Sequence, residues 1–283
     1  MNYFIKKYRI PLLVIFTLLG LFISGKITIW TIGGFTGTLN GKTSLYSQLN
    51  NKNNTKAPYS ETITEQIASE GMPKAIRNSF SDVKFNGYGA YIISNNTPNL
   101  EVRYDSEPYA RNSLDSLGRP ATSEAIVNKS TREYSPRTDF KDTDVTLTPL
   151  GYHQRSNLKG NYPLAYNRGH LLGYAIIGNL PGFDASENNK QNIITQTVWA
   201  NQASESTNTG QNYYESLVRQ AQDQNRTISY RVTPMYIDNE LVPRGVQLEA
   251  LSSDSSLKFN VYIPNVQGNI IIDYKTGHTT PRN

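Results

Sequence analysis

The sequence contains no cysteine. That absence excludes a disulfide framework, a thiolate metal site and a thiol nucleophile, and leaves stability to an ordinary apolar core. Histidine is nearly as scarce: His153, His170 and His278 are the only three, so a side chain that titrates near neutrality has few places to sit. Excess charge is also missing from most of the chain. The formal net charge is +5, but Lys6, Lys7, Arg9 and Lys26 meet no acidic residue in the first 40 positions, and the remainder holds 24 basic against 23 acidic residues. A polyanion would have to be bound by locally clustered cations rather than by a global field.

The one long apolar stretch is at the N-terminus. Three cations in Met1 to Arg9 precede a run from Ile10 to Gly25, and after Lys26 the segment Ile27 to Ile32 resumes it. Together they approach the roughly 20 residues of a spanning helix. No small-residue cleavage site follows, so residues 1–35 are expected to be an uncleaved anchor with the rest of the chain outside the cell; cleavage would make the protein secreted. Residues 36–75, rich in Asn, Lys, Ser, Thr and Gly, read as a flexible tether. A globular domain is expected over 76–275 and a polar tail over 276–283.

Within that domain, strand signals dominate. Leu257, Phe259, Val261 and Ile263 alternate with Lys258, Asn260 and Tyr262; Ile228, Tyr230 and Val232, and Val246, Leu248 and Ala250, alternate in the same way. These are half-buried strands of an antiparallel sheet. The clearest helix is Asn212 to Gln224, where Tyr214, Leu217, Val218 and Ala221 form one stripe, and Glu215 and Arg219 fall together on its flank. Strands on both sides of a helical centre, without βαβ alternation, predict an α+β fold.

His278 lies in a polar stretch and reads as solvated, and His153 lies in a loop without convergent polar neighbours. His170 differs, because it stands between Arg168 and the apolar run Leu171 to Ile177, where a polar turn enters a buried segment. A neutral imidazole there can accept a proton from water. Downstream, Asn192, Gln196, Asn201 and Gln202 place four amides within eleven residues. They either satisfy buried backbone or offer oxygen to a hard divalent cation, which prefers oxygen ligands and keeps several waters. Glu215 and Arg219 are either part of such a site or an exposed i, i+4 salt bridge worth a few tenths of a kcal/mol.

Four blocks in order carry a resemblance: Asn167-Arg168-Gly169-His170-Leu171-Leu172-Gly173-Tyr174, Gly182-Phe183-Asp184-Ala185-Ser186, Gln196-Thr197-Val198-Trp199-Ala200-Asn201-Gln202, and Gly210-Gln211-Asn212-Tyr213-Tyr214-Glu215-Ser216. The stretch from Tyr166 to Glu215 resembles the DNA/RNA non-specific endonucleases of the ββα-metal superfamily, with weaker similarity from about Gly87 to Tyr274. The resemblance implies a ββα-metal finger carrying the site. In it His170 is the general base, Asn201 the sole protein ligand of Mg²⁺ (with Mn²⁺ able to substitute), and Glu215 the carboxylate that orders the metal's water. Arg168, Arg219 and Asn192 match further active-site positions, and Gln196, Gln202, Arg137 and Asn167 fall where substrate contacts are expected. Asn167 stands where most of the family has aspartate; it keeps an acceptor and loses the charge.

The expected activity is hydrolysis of DNA, with RNA as a further substrate, outside the cell, leaving 5′-phosphate ends. Two other readings fit the residues: a non-catalytic surface receptor for nucleic acid, in which Asn167 marks decayed chemistry, and a structural surface protein whose polar blocks are loops.

Overall fold

The three alternating segments form the centre of the molecule, which a computed structural model describes over residues 62–135 and 146–282. They become β9 (Ile228–Met235), β10 (Gly245–Ser252) and β11 (Lys258–Pro264). Their pairing is antiparallel, with Leu248 opposite Val232 on one side and Val261 on the other, so the apolar rows of all three strands coincide on one face. Four shorter strands extend the sheet: β1 (Lys84–Phe85), β2 (Tyr91–Ile92), β3 (Tyr109–Arg111) and β4 (Ser123–Val127). The resulting order, β1-β2-β11-β10-β9-β4-β3, is antiparallel throughout.

The globular part begins earlier than composition predicts. Helix α1 (Glu65–Glu70) and the first half of α2 (Lys74–Arg77) fall in the segment expected to be tether. Ile63, Ala68, Met72 and Ile76 are all buried in the main core. Four well-spaced apolar side chains are enough to dock a segment whose average composition is polar. The chain's end is likewise part of the fold: β13 (Thr279–Pro281) pairs with β12 (Ile270–Ile272), and Arg282 Nη2 donates to Glu70 Oε2 at 2.7 Å. The apolar run expected to anchor the protein lies outside the described residues, and no helix among those described is long and apolar enough to cross a membrane.

A second, smaller unit stands on the apolar face of the sheet. Strands β5 (Tyr166–His170) and β6 (Ile193–Thr197) form an antiparallel pair, with α3 (Tyr174–Ile177) in the connection between them. Next comes α4 (Val198–Gln202), whose N-cap Thr197 accepts a hydrogen bond from Ala200 N at 3.1 Å. A short hairpin, β7 (Ser204–Glu205) and β8 (Asn208–Thr209), leads to α5 (Gln211–Asp223). The apolar stripe of α5 packs onto the sheet, with Tyr214 and Phe259 ring centroids 5.2 Å apart. Two strands and a helix therefore form a finger on an α+β scaffold, as expected.

The opposite face of the sheet carries a charge ladder. Arg111, Glu124, Arg231 and Glu249 sit side by side on β3, β4, β9 and β10. Arg231 Nε donates to Glu249 Oε2 at 2.8 Å, and Arg111 Nε donates to Glu124 Oε2 at 2.9 Å. The Arg111 guanidinium, with Arg231 behind it, holds the Glu124 carboxyl below the usual carboxylate range. Burial separates the two pairs: Glu249 is 3% exposed, whereas the Arg111 side chain is 71% exposed. Arg231→Ala should therefore cost about 3 kcal/mol and lower the thermal midpoint by roughly 6–12 °C, because a buried carboxylate loses its partner. Arg111→Ala should cost less than about 1 kcal/mol; equal shifts in a melting experiment would contradict the ladder's asymmetry.

Candidate active site

Period-two geometry on β5 sends alternate side chains to opposite faces, so Arg168 and His170 share one face and Asn167 and Gly169 the other. Arg168 and His170 open into a cleft of about 340 Å³, which is also lined by Gly173, Tyr174, Ala175, Asn201, Gln202, Asn212, Glu215 and Arg219. Three elements thus converge: β5 brings the arginine and histidine, α4 brings Asn201 and Gln202, and α5 brings Asn212, Glu215 and Arg219. Asn167 is not among the lining residues. It sits opposite Gln196 in the ladder.

His170 is 5% exposed, and its Nε2 lies 3.0 Å from the Ala185 carbonyl oxygen. A carbonyl can only accept, so Nε2 carries the hydrogen, and in the neutral ring Nδ1 is the acceptor nitrogen. Arg168 is oriented from behind: its Nε donates to Leu147 O at 2.9 Å, and its guanidinium lies 5.3 Å from the centre of the Tyr152 ring.

On α5, Arg219 Nη1 is 3.4 Å from Glu215 Oε2, and Nη2 donates to Asn212 Oδ1 at 2.8 Å. The two side chains are 12% (Glu215) and 21% (Arg219) exposed, which rules against a solvated surface bridge. Glu215 Oε1 also accepts from Gln211 Nε2 at 2.9 Å. The turn after β5 passes very close to this carboxylate, since a Cβ on Gly173 would stand 2.8 and 2.9 Å from its two oxygens. Any larger residue there would displace Glu215.

The four amides divide between the two roles that the sequence leaves open. Asn192 is fully buried; its Oδ1 accepts from Leu172 N at 2.9 Å and its Nδ2 donates to Leu172 O at 3.0 Å, so it pins the chain just after His170. Gln196 is also buried, donates to Gln211 Oε1 at 3.0 Å, and packs so tightly on Gly169 that a Cβ there would meet its Oε1 at 2.2 Å. Neither lines the cleft. Asn201 and Gln202 do, and the Asn201 amide makes no hydrogen bond to protein among the described residues. Arg137 lies outside the described residues. His153 and His278, read as loop and solvated positions, are exposed and stack on each other with centroids 4.0 Å apart, away from the cleft.

Sequence reading passed over Gln211, Asn212, Gly173 and Tyr174. Asn212 had a signal, because it stands three residues before Glu215 and seven before Arg219, on one face of the helix. Gln211 had a weaker one, four residues before Glu215.

Known proteins share this fold. The family model for DNA/RNA non-specific endonucleases matches residues 86–278. The crystal structure of NucA from Streptococcus agalactiae with magnesium ion bound is 40% identical, covers 75% of this chain and 99% of its own, and superposes with a TM-score of 0.69. The same protein with no metal bound gives 39% identity, 76% and 100% coverage, and a TM-score of 0.67. The Sda1 nuclease with bound zinc ion shares the fold at 18% identity and a TM-score of 0.50, over 70% of this chain and 98% of its own. With the matched region spanning both sheet and finger, the chain belongs to the DNA/RNA non-specific endonuclease family and is a nuclease that hydrolyses phosphodiester bonds.

Proposed function

We propose that this nuclease is Mg²⁺-dependent, cuts DNA and RNA with little sequence preference, leaves 5′-phosphate ends, and acts outside the cell from an N-terminal anchor. The observation that carries the site reading is the convergence of Arg168, His170, Asn201, Glu215 and Arg219 on one cleft. The export-type segment at residues 1–35 supports the location.

The donor set suits a hard, largely hydrated ion. Among the described residues no group of three or more His, Cys, Asp or Glu is arranged to hold a metal. What the cleft offers is the Asn201 amide oxygen, with the Glu215 carboxylate across from it, and Mg²⁺ accepts oxygen ligands and retains several waters. Asn201 would hold the ion. When bound, the ion would supply Lewis-acid stabilisation to the phosphate and the departing 3′-oxygen.

The chain's own groups account for the remaining steps. His170 Nδ1 takes a proton from the attacking water while Nε2–H, fixed on Ala185 O, keeps the ring in that tautomer. Glu215, held by Gln211 and Arg219, lines the cleft, where its carboxylate would order water. Arg168 and Arg219 offset the charge that develops on the phosphate. Contacts directed at the backbone carry no base information, which accounts for weak sequence preference.

Supercoiled plasmid incubated with the full-length protein should be nicked in Mg²⁺ or Mn²⁺ and left intact in EDTA. Binding without nicking in Mg²⁺ would point instead to a receptor. His170→Gly should lose about 10²–10⁴-fold in rate and recover part of it with added imidazole; full activity would remove His170 as the base. Asn192→Ala should cost about 2–4 kcal/mol of stability, since it strands two buried backbone groups. Asn201→Ala should change stability by no more than about 0.5 kcal/mol while abolishing Mg²⁺-dependent cleavage; the reverse pattern in melting and nicking assays would exchange their roles.

A further inference from the structure

Gln211 has no assigned role, yet it is the most connected side chain beneath the cleft. It is 1% exposed at the first position of α5. Its Nε2 donates twice, to His170 O at 2.6 Å and to Glu215 Oε1 at 2.9 Å, and its Oε1 accepts from Gln196 Nε2 at 3.0 Å. The partners force this orientation. Turning the amide over would put a carbonyl oxygen against another carbonyl and a carboxylate, three acceptors with no hydrogen among them.

We infer that Gln211 is a positioning residue that fixes the Glu215 carboxylate relative to His170, and thereby sets how well the cleft holds its divalent cation. This rests on the reading of Glu215 given above. The chemistry demands an amide, because the position needs one nitrogen with two hydrogens and one acceptor oxygen. Lysine can donate but not accept, and a carboxylate would face two acceptors. Asparagine has the right groups on a stem shorter by one bond, roughly 1.5 Å, too short to span β5 and the next turn of α5 at once. The Gln196 link makes the clamp stiff, since Gln196 is itself locked by its close packing on Gly169. The base and the carboxylate thus hang from opposite sides of one nitrogen atom.

Groups that orient the surroundings of a bound cation typically carry 10–100-fold in its affinity or in activity. Gln211→Met, an unbranched near-isostere without donors, and Gln211→Asn should each weaken Mn²⁺ binding to the full-length protein by roughly that factor in an electron paramagnetic resonance titration without DNA. In cleavage assays kcat should fall while KM for plasmid DNA changes less than about twofold, as expected when binding that is uniform through the reaction is untouched. Thermal melting in EDTA would confirm that each variant is folded. In a Glu215→Gln background, Gln211→Met should add less than about twofold to the loss, because its effect passes through Glu215. Unchanged Mn²⁺ binding in both Gln211 variants, or an undiminished additional loss in the Glu215→Gln background, would overturn the inference. Unchanged cleavage and Mn²⁺ binding in Glu215→Gln alone would instead overturn the role of Glu215 on which it rests.

Discussion

A two-stranded ribbon buried on a larger sheet has edges with no strand beside them, and a buried backbone group without a partner costs as much as a lost hydrogen bond. The finger meets that constraint with side-chain amides. Gln154 stands in for a neighbouring strand, accepting from Ala165 N and Tyr166 N and donating to Tyr166 O at 2.7 Å. Along the other strand Asn265 accepts from Thr197 N at 2.7 Å and donates to Thr195 O at 3.1 Å. Gln267 accepts from Trp199 N, Asn192 serves Leu172, and Gln211 serves His170. An amide is the right tool because it offers donor and acceptor at nearly the spacing of the peptide bond it replaces. The cleft depends on these bonds, since they decide where Arg168 and His170 point.

The same economy shapes the electrostatics. Net charge outside the first 40 residues is close to zero, and the cleft itself pairs one carboxylate, Glu215, with two arginines, Arg168 and Arg219. A neutral amide ligand would leave a bound cation's charge uncancelled, so attraction for a phosphate is concentrated at one point instead of spread over the surface. On the far side of the sheet the charged groups are consumed by each other: Arg111, Glu124, Arg231 and Glu249 form a closed ladder whose task is to knit four strands. The molecule keeps its structural charges and its cleft charges on opposite faces.

Periodicity made the strongest elements legible. β9, β10 and β11 bury one face each and so alternate clearly, and α5 has a stripe that packs on them. The short strands β1 and β2 carry too few residues to show a period, and the polar segment around α1 and α2 hides four core residues, Ile63, Ala68, Met72 and Ile76. In the site, the family resemblance pointed to His170, Asn201, Glu215 and Arg219, which the fold gathers in one cleft. The sequence could not say which amides faced the cleft and which faced the backbone. Asn192 and Asn201 look alike in one dimension, and only the register of β5 on β6 and the short turn of α4 separate them. Gln211 escaped notice because its partners, the His170 carbonyl and Gln196, are distant in sequence and partly main chain.

The stitching of β6 has a consequence for the order in which the protein comes into being. Every residue that lines the cleft lies from Arg168 to Arg219, a local stretch that closes cheaply. Yet Asn265 and Gln267, which complete its outer edge, are made well after Arg219. A growing chain therefore carries every cleft residue before it carries the amides that fix the edge of β6.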